Sequence, residues 1–205
     1  MSASRPRRTD AERREALIRV AEDVFVREGY AAANMDEVAR RAGMSKKTLY
    51  QVFASKEALF EAVLTAHFAP LLTVAPKEVE AGPREGLIAI LERAAAHILN
   101  GRHIAIFRLI SSEVKRAPEI AAAFHRASSG RGAGALQRCL EVHVARGRLN
   151  IADTSMAAGM LFGLAIGEPH LWMLLGQREE PDPSEISYRV AAAVDTFLAG
   201  TLARG

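Results

Sequence analysis

Lys46, Lys47, Thr48 and Gln51 set two ammonium groups, a hydroxyl and a carboxamide within one short run of the chain. Nothing beside them forms an acid–base pair or a nucleophile with its base, so the chemistry they offer is hydrogen bonding and charge. They fall at the front and outer face of a predicted helix whose back is Leu49, Tyr50 and Phe53. A short helix with an apolar back and such a front suits the major groove of duplex DNA. A smaller stripe of Met35, Val38 and Ala39 precedes it. Between the two, Gly43 can take the left-handed backbone that stops a helix, and Ser45 can cap the next. The spacing therefore predicts a helix-turn-helix over Met35 to Phe53. An ordinary helical hairpin with basic exposed residues would satisfy the same spacing, so the flanks matter.

Those flanks position the motif. Asn34, three residues before Glu37, makes a capping-box arrangement, and Asp36 beside it suits the helix dipole. Upstream, Thr9 and Glu12 form another box, opening a helix that Gly29 should close. Leu17, Val20, Ala21, Val24 and Phe25 give that helix a continuous apolar stripe. Downstream, Ser55 starts a further helix to about Leu72, with Leu59, Phe60, Val63, Leu64 and Phe68 inward. Phe25, Val38, Leu49 and Phe53 are the expected core, with Tyr30 closing one edge. A core of that size is marginal alone and should lean on the C-terminal part of the chain.

The run from Thr9 to about Leu64 resembles the DNA-binding domain of the tetracycline-repressor (TetR) family of bacterial transcription regulators. The residues carrying the likeness are Ala21, Phe25, Gly29-Tyr30, Asn34-Met35, Val38-Ala39 and Ala42-Gly43-Met44-Ser45. Thr48-Leu49-Tyr50, Phe53 and Ser55-Lys56-Glu57 complete it. The resemblance implies that Lys46, Lys47 and Gln51 meet base edges, and that Asn34, Thr48, Tyr50 and Lys56 meet phosphates. The chain departs from the family at Val52, where many members carry histidine or an aromatic residue, and at Ala33, where many carry threonine. Both losses should alter affinity more than sequence choice, since phosphate contacts position and base contacts specify. Arg5, Arg7 and Arg8 either compensate by reaching the backbone or minor groove, or form a solubilising tail.

The composition fits an all-α protein with a real core: 205 residues, 49% apolar and 25% charged, rich in alanine, leucine, glutamate and arginine. A net charge of +3 is too small for a protein that coats nucleic acid indiscriminately, but it allows one basic face. The single cysteine, Cys139, excludes an internal disulfide framework. It reads as a small buried apolar residue, with redox sensing as the alternative. No apolar run is long enough to span a membrane or to act as a secretion signal, which predicts a cytoplasmic protein.

Catalytic patterns are missing. The histidines, at 67, 97, 103, 125, 143 and 170, form no HExxH or Glu-x-x-His pair, and Glu141 and His143 fall on different helix faces. The glycines near 130–134 lack the following Lys-Ser/Thr of a phosphate loop, and no nucleophile elbow is present. No enzyme activity, metal or cofactor is expected.

The expected organisation is a helix-turn-helix domain over 1–55, with a basic arm over 1–9, and a helical effector-binding and dimerisation domain over 56–205. Further helices are predicted from Pro83 to near Gly101, through Ile104 to Val114, from Pro118 through Phe124, and through Leu136 to Gly147. The stretch 128–134 reads as a kink, a break or a loop. A helix from near Asp153 carries Met156 to Leu175, and another starts at Asp182 with Pro183 in its first turn. The family likeness implies that these last two pair with their copies in a homodimer, which suits two-fold reading of half-sites. It also implies an internal pocket. Phe107, Phe124, Met160, Phe162 and Trp172 are candidate walls, with His103, Glu113, Glu168 and His170 as candidate orienting groups. Together these features predict a ligand-responsive regulator, a dimeric repressor released from its operator by a small lipophilic molecule. A helical small-molecule-binding protein that leaves DNA alone and a sequence-indifferent DNA-binding protein without an effector are the rivals.

Overall fold

The computed structural model describes residues 9–71, 75, 78, 80–128 and 133–201. Its helices are α1 (Asp10–Glu28), α2 (Met35–Arg41), α3 (Lys46–Val52), α4 (Lys56–Phe68), α5 (Pro83–Ile98) and α6 (Gly101–Glu113). They continue with α7 (Pro118–Ser128), α8 (Ala133–Ala145), α9 (Thr154–Phe162), α10 (Glu168–Leu174) and α11 (Pro183–Thr201). A 3₁₀ turn, Ala69–Leu71, follows α4, and a π-helical turn, Gly163–Gly167, joins α9 to α10. Arg5, Arg7, Arg8 and most of the weak stretch 128–134 lie outside the described residues. Two compact units emerge. One holds the described residues up to His67 together with Leu109–Ala127; the other holds Phe68–Arg108 and the residues from Ser128 onward. The divisions fall within α6 and at the last residues of α4 and α7.

In the first unit, both halves of the Thr9 capping box form: Glu12 N–H donates to Thr9 Oγ1 at 3.2 Å and Thr9 N–H to Glu12 Oε2 at 2.6 Å. Gly29 stops α1 at a φ of +83°, a conformation suited to glycine. Leu17, Val24 and Phe25 of α1 are buried with Val38, Leu49 and Phe53, as their spacing predicts. Phe25, Tyr30 and Phe60 form an aromatic trio with centroids 4.9–5.8 Å apart. One expectation fails locally. Asn34 Oδ1 does cap Asp36 N–H at 2.8 Å, but Glu37 turns away from the cap and grips Arg40 through two hydrogen bonds of 2.7 and 2.9 Å. The arginine one turn on offers the carboxylate a charge-assisted, two-point partner, stronger than a neutral amide.

The second unit is built around α5, which packs on α8 and α11. Leu87, Leu91, Leu140, Leu161, Ile166 and Val194 are fully buried in its core. Cys139 is among them, and burial beside the Glu78 carboxylate pushes its thiol pKa up to about 11. That agrees with a packing role. The segment from Thr154 to Leu174 departs from a single regular helix. Pro169 has no amide to donate to the carbonyl of Ala165 four residues earlier, and its ring crowds that oxygen. The chain widens into the π turn there. Arg189 of α11 donates to this turn, with Nε 2.9 Å from Ala165 O and Nη2 3.4 Å from Leu164 O. No helix among the described residues is long and apolar enough to cross a membrane.

Candidate nucleic-acid interface

The turn between α2 and α3 follows from its residues. Ala42 ends α2, Gly43 takes a φ of +69°, and Met44 N–H reaches back to Ala39 O at 2.9 Å while Gly43 N–H donates to Arg40 O at 3.1 Å. This is the helix-ending pair of bonds that a left-handed glycine permits. Ser45 then caps α3, accepting Thr48 N–H at 3.1 Å. Leu49, fully buried, seats the helix, and Phe53 lies buried just past its end under the Arg14 guanidinium, 4.5 Å from the ring centroid.

That seating leaves Lys46, Lys47, Tyr50 and Gln51 exposed, with Thr48 half-buried. Thr48 shares a 2.9 Å hydroxyl–hydroxyl hydrogen bond with Ser45. Two open grooves flank α3. One is lined by Asp10, Arg13, Arg14, Thr48, Gln51 and Val52, so the start of α1 adds two guanidinium groups to this groove. The other gathers Asn34, Asp36, Lys46, Tyr50 and Lys56. Six of the seven residues expected at DNA thus border the two grooves, and Lys47 is exposed beside them. The Lys46 ammonium is bound by Asp36, which holds its pKa above the usual lysine range. Lys56 donates to the carbonyls of Tyr30 at 2.9 Å, Ala31 at 3.0 Å and Ala33 at 3.4 Å, fastening the turn between α1 and α2. Ala33 is buried.

The candidate pocket residues do not converge as a set. His103 and Phe107 come together in the second unit, 6.0 Å apart and stacked, with His170 at 5.6 and 5.0 Å from them. His97 and Phe68 complete this cluster around His103, each at 5.8 Å. Burial lowers the pKa of His170, so its ring is neutral at physiological pH, and its buried Nε2 has no hydrogen-bond partner among the described residues. Phe162 is half-buried against the core. Glu168 is exposed and paired with Arg189 at 2.9 Å. Met160 and Trp172 are exposed, together with Met156, Leu164, Leu171, Leu175 and Tyr188. Glu113 and Phe124 lie in the first unit, where Glu113 Oε2 accepts Ala31 N–H at 2.8 Å. The sequence marks Asp36 only as a charge at a helix start and does not place Arg13 and Arg14 beside α3, because nothing local marks which charges share a groove.

Residues 17–63 match the model of bacterial regulatory proteins of the tetR family, and residues 85–200 match that of the AefR-like transcriptional repressor C-terminal domain. The chain is 57% identical over 56 residues to the HTH-type transcriptional activator FasR of Mycolicibacterium smegmatis, a match covering 27% of this chain and 26% of that protein. A 44% identical stretch of 55 residues links it to the DNA-binding transcriptional repressor TetR of Mycobacteroides abscessus, over 27% of this chain and 29% of that one. These matches span less than a third of either curated relative. Whole-chain similarity comes from solved structures. A TetR-family transcriptional regulator from Mesorhizobium loti superposes with a TM-score of 0.83 at 25% identity, over 96% of this chain and all of that one. The flavonoid-responsive regulator FrrA gives 0.78 at 30% identity, over 95% and 100%.

Proposed function

Because the chain belongs to the TetR family of bacterial transcription regulators, we propose that it is a homodimeric repressor that leaves its operator when a small lipophilic molecule binds. The observation that carries the DNA half of this reading is the exposed face of α3, with Leu49 buried behind it. Lys46, Lys47 and Gln51 are assigned to base edges; Asn34, Thr48 and Tyr50 to phosphates. Lys56, already bound to the turn before α2, joins the phosphate set by holding that turn against the backbone. Repression rather than activation is favoured by the AefR-like repressor match over the C-terminal half.

The homodimer is supported by the exposed apolar face that runs along α9, the π turn and α10. Met156, Met160, Leu164, Leu171 and Leu175 follow one another at helical intervals, and such a stripe is costly to leave in water. Two copies paired there would present two reading helices to half-sites about one turn apart, roughly 34–36 Å. The effector is assigned to the ring cluster of His103, Phe107 and His170. These flat surfaces and a neutral imidazole suit a planar aromatic molecule bearing hydroxyl groups, and the similar protein FrrA is flavonoid-responsive. Release requires the effector to favour a conformation other than the operator-bound one, since equal affinity for both would shift nothing. The cytoplasm is the compartment this function needs.

The test is selection of genomic fragments by the purified protein, followed by gel shifts with Lys47→Ala and Gln51→Ala. Each variant should lose about 1–3 kcal/mol of discrimination between the selected site and scrambled DNA. Unchanged preference would remove both residues from base reading. Failure to retard any DNA would leave a helical ligand-binding protein, and retention of all sequences alike would leave a DNA-binding protein without sequence choice.

A further inference from the structure

The Lys46 ammonium does not stand free in front of α3. Asp36, at the start of α2, holds it with both carboxylate oxygens, at 2.9 Å from Oδ1 and 3.0 Å from Oδ2. The lysine side chain is 62% exposed and the aspartate 54%, so the pair contributes little to stability. Its place, however, is specific. Asn34 Oδ1 fixes the Asp36 amide at 2.8 Å, and all three residues border the same groove beside α3. A carboxylate held there works against simple adhesion to a polyanion, because it occupies a cation and repels phosphate.

We propose that Asp36 is a specificity-determining residue that withholds Lys46 from phosphates and yields it to a G·C base pair. This rests on the assignment of α3 as the reading helix. When the ammonium leaves Asp36, the vacated carboxylate needs a new donor. A phosphate can accept from Lys46, but it offers the carboxylate only a second anion. A G·C pair in the major groove offers both partners: guanine O6 and N7 accept from the lysine, and the cytosine N4 amino group donates to the aspartate. Adenine sets an amino group beside its N7, where the ammonium needs a second acceptor. The pair therefore exchanges without loss at one kind of base pair and at a cost elsewhere. Its net neutrality before that exchange also weakens sequence-indifferent binding, which scales with the cations offered to phosphates.

The experiment selects duplexes from a randomised pool with the wild-type protein and with Asp36→Asn. Both proteins are also titrated against one unrelated duplex over a salt series. The wild type should enrich a motif with a fixed G·C pair, and D36N should lose about tenfold in preference at that pair. D36N should bind the unrelated duplex more tightly and with a steeper salt dependence, by about one further phosphate contact. In a Lys46→Gln background, D36N should change little, because the residues act as a pair. Thermal melts of D36N and of a second variant, Asp36→Ala, confirm that folding is intact. An unchanged motif with unchanged salt dependence overturns the proposal, and so does uniform weakening on every duplex. A wild-type protein that enriches no sequence overturns the assignment of α3 itself, a failure that the D36N comparison cannot produce.

Discussion

Arg189 donates from Nε to the carbonyl of Ala165 at 2.9 Å, the oxygen to which Pro169, four residues on, has no amide to donate. A side chain from α11 thus binds the backbone of a neighbouring helix at its π turn. Arg189→Ala should cost about 0.5–1.5 kcal/mol, the net worth of a part-buried hydrogen bond. Pro169→Ala restores an amide, so the double variant should lose less than R189A alone. Urea unfolding of the four proteins measures the coupling; additive losses would mean that the two residues act independently.

Glu113 and Gly29 make a second coupled pair, within the first unit. Glu113 Oε2 accepts Ala31 N–H at 2.8 Å, and a Cβ on Gly29 would run into Glu113 Oε1. Gly29→Ala therefore carries two costs, about 1–3 kcal/mol for a positive-φ, extended backbone that only glycine adopts readily and the displacement of the carboxylate. Glu113→Ala should lose about 0.5–1.5 kcal/mol, and G29A should be milder in that background than in the wild type. Thermal melts of the cycle decide; equal penalties in both backgrounds would show that the carboxylate swings aside freely.

His143 is buried in the second unit, and neither ring nitrogen has a hydrogen-bond partner among the described residues. Burial, helped by Arg148 and Arg146, keeps its pKa below the usual value near 6.5. Above that value the ring is neutral in both folded and unfolded chains. Below it, the unfolded chain takes a proton that the folded core refuses, so stability falls with falling pH. His143→Leu should flatten the stability profile between about pH 7.5 and about pH 5. The loss that remains is assigned to His170, whose pKa burial also lowers. A profile as steep as the wild type's would clear His143 of the effect.

The local grammar of the chain was legible before any coordinates. Gly43 between two apolar stripes specified the turn, and Leu49 with its neighbours specified which face of α3 is seated and which is free. The Thr9–Glu12 box was equally plain, because its partners lie three residues apart. What stayed hidden depends on distance along the chain or on choice among equals. Glu37 could have closed on Asn34 but took Arg40. Asp36 reaches Lys46 across a turn, while other cations stood nearer in sequence. Ala31 and Glu113 meet from 82 positions apart. His97, His103 and His170 looked scattered and gather only once α5, α6 and α10 are in place. Pro169 was visible inside a predicted helix, yet nothing nearby named Arg189 as a donor to that turn.

Trp172 is the chain's single tryptophan, and it sits 42% exposed in the segment that carries the exposed leucines and methionines of α9 and α10. The molecule therefore carries a built-in optical gauge of self-association. In a solitary protomer the indole touches water and emits at long wavelength; a second copy seated on that face would strip the water away and move the emission toward the blue. Serial dilution with unlabelled protein then follows separation by colour alone, and a hue indifferent to concentration would place this indole outside any seam between copies.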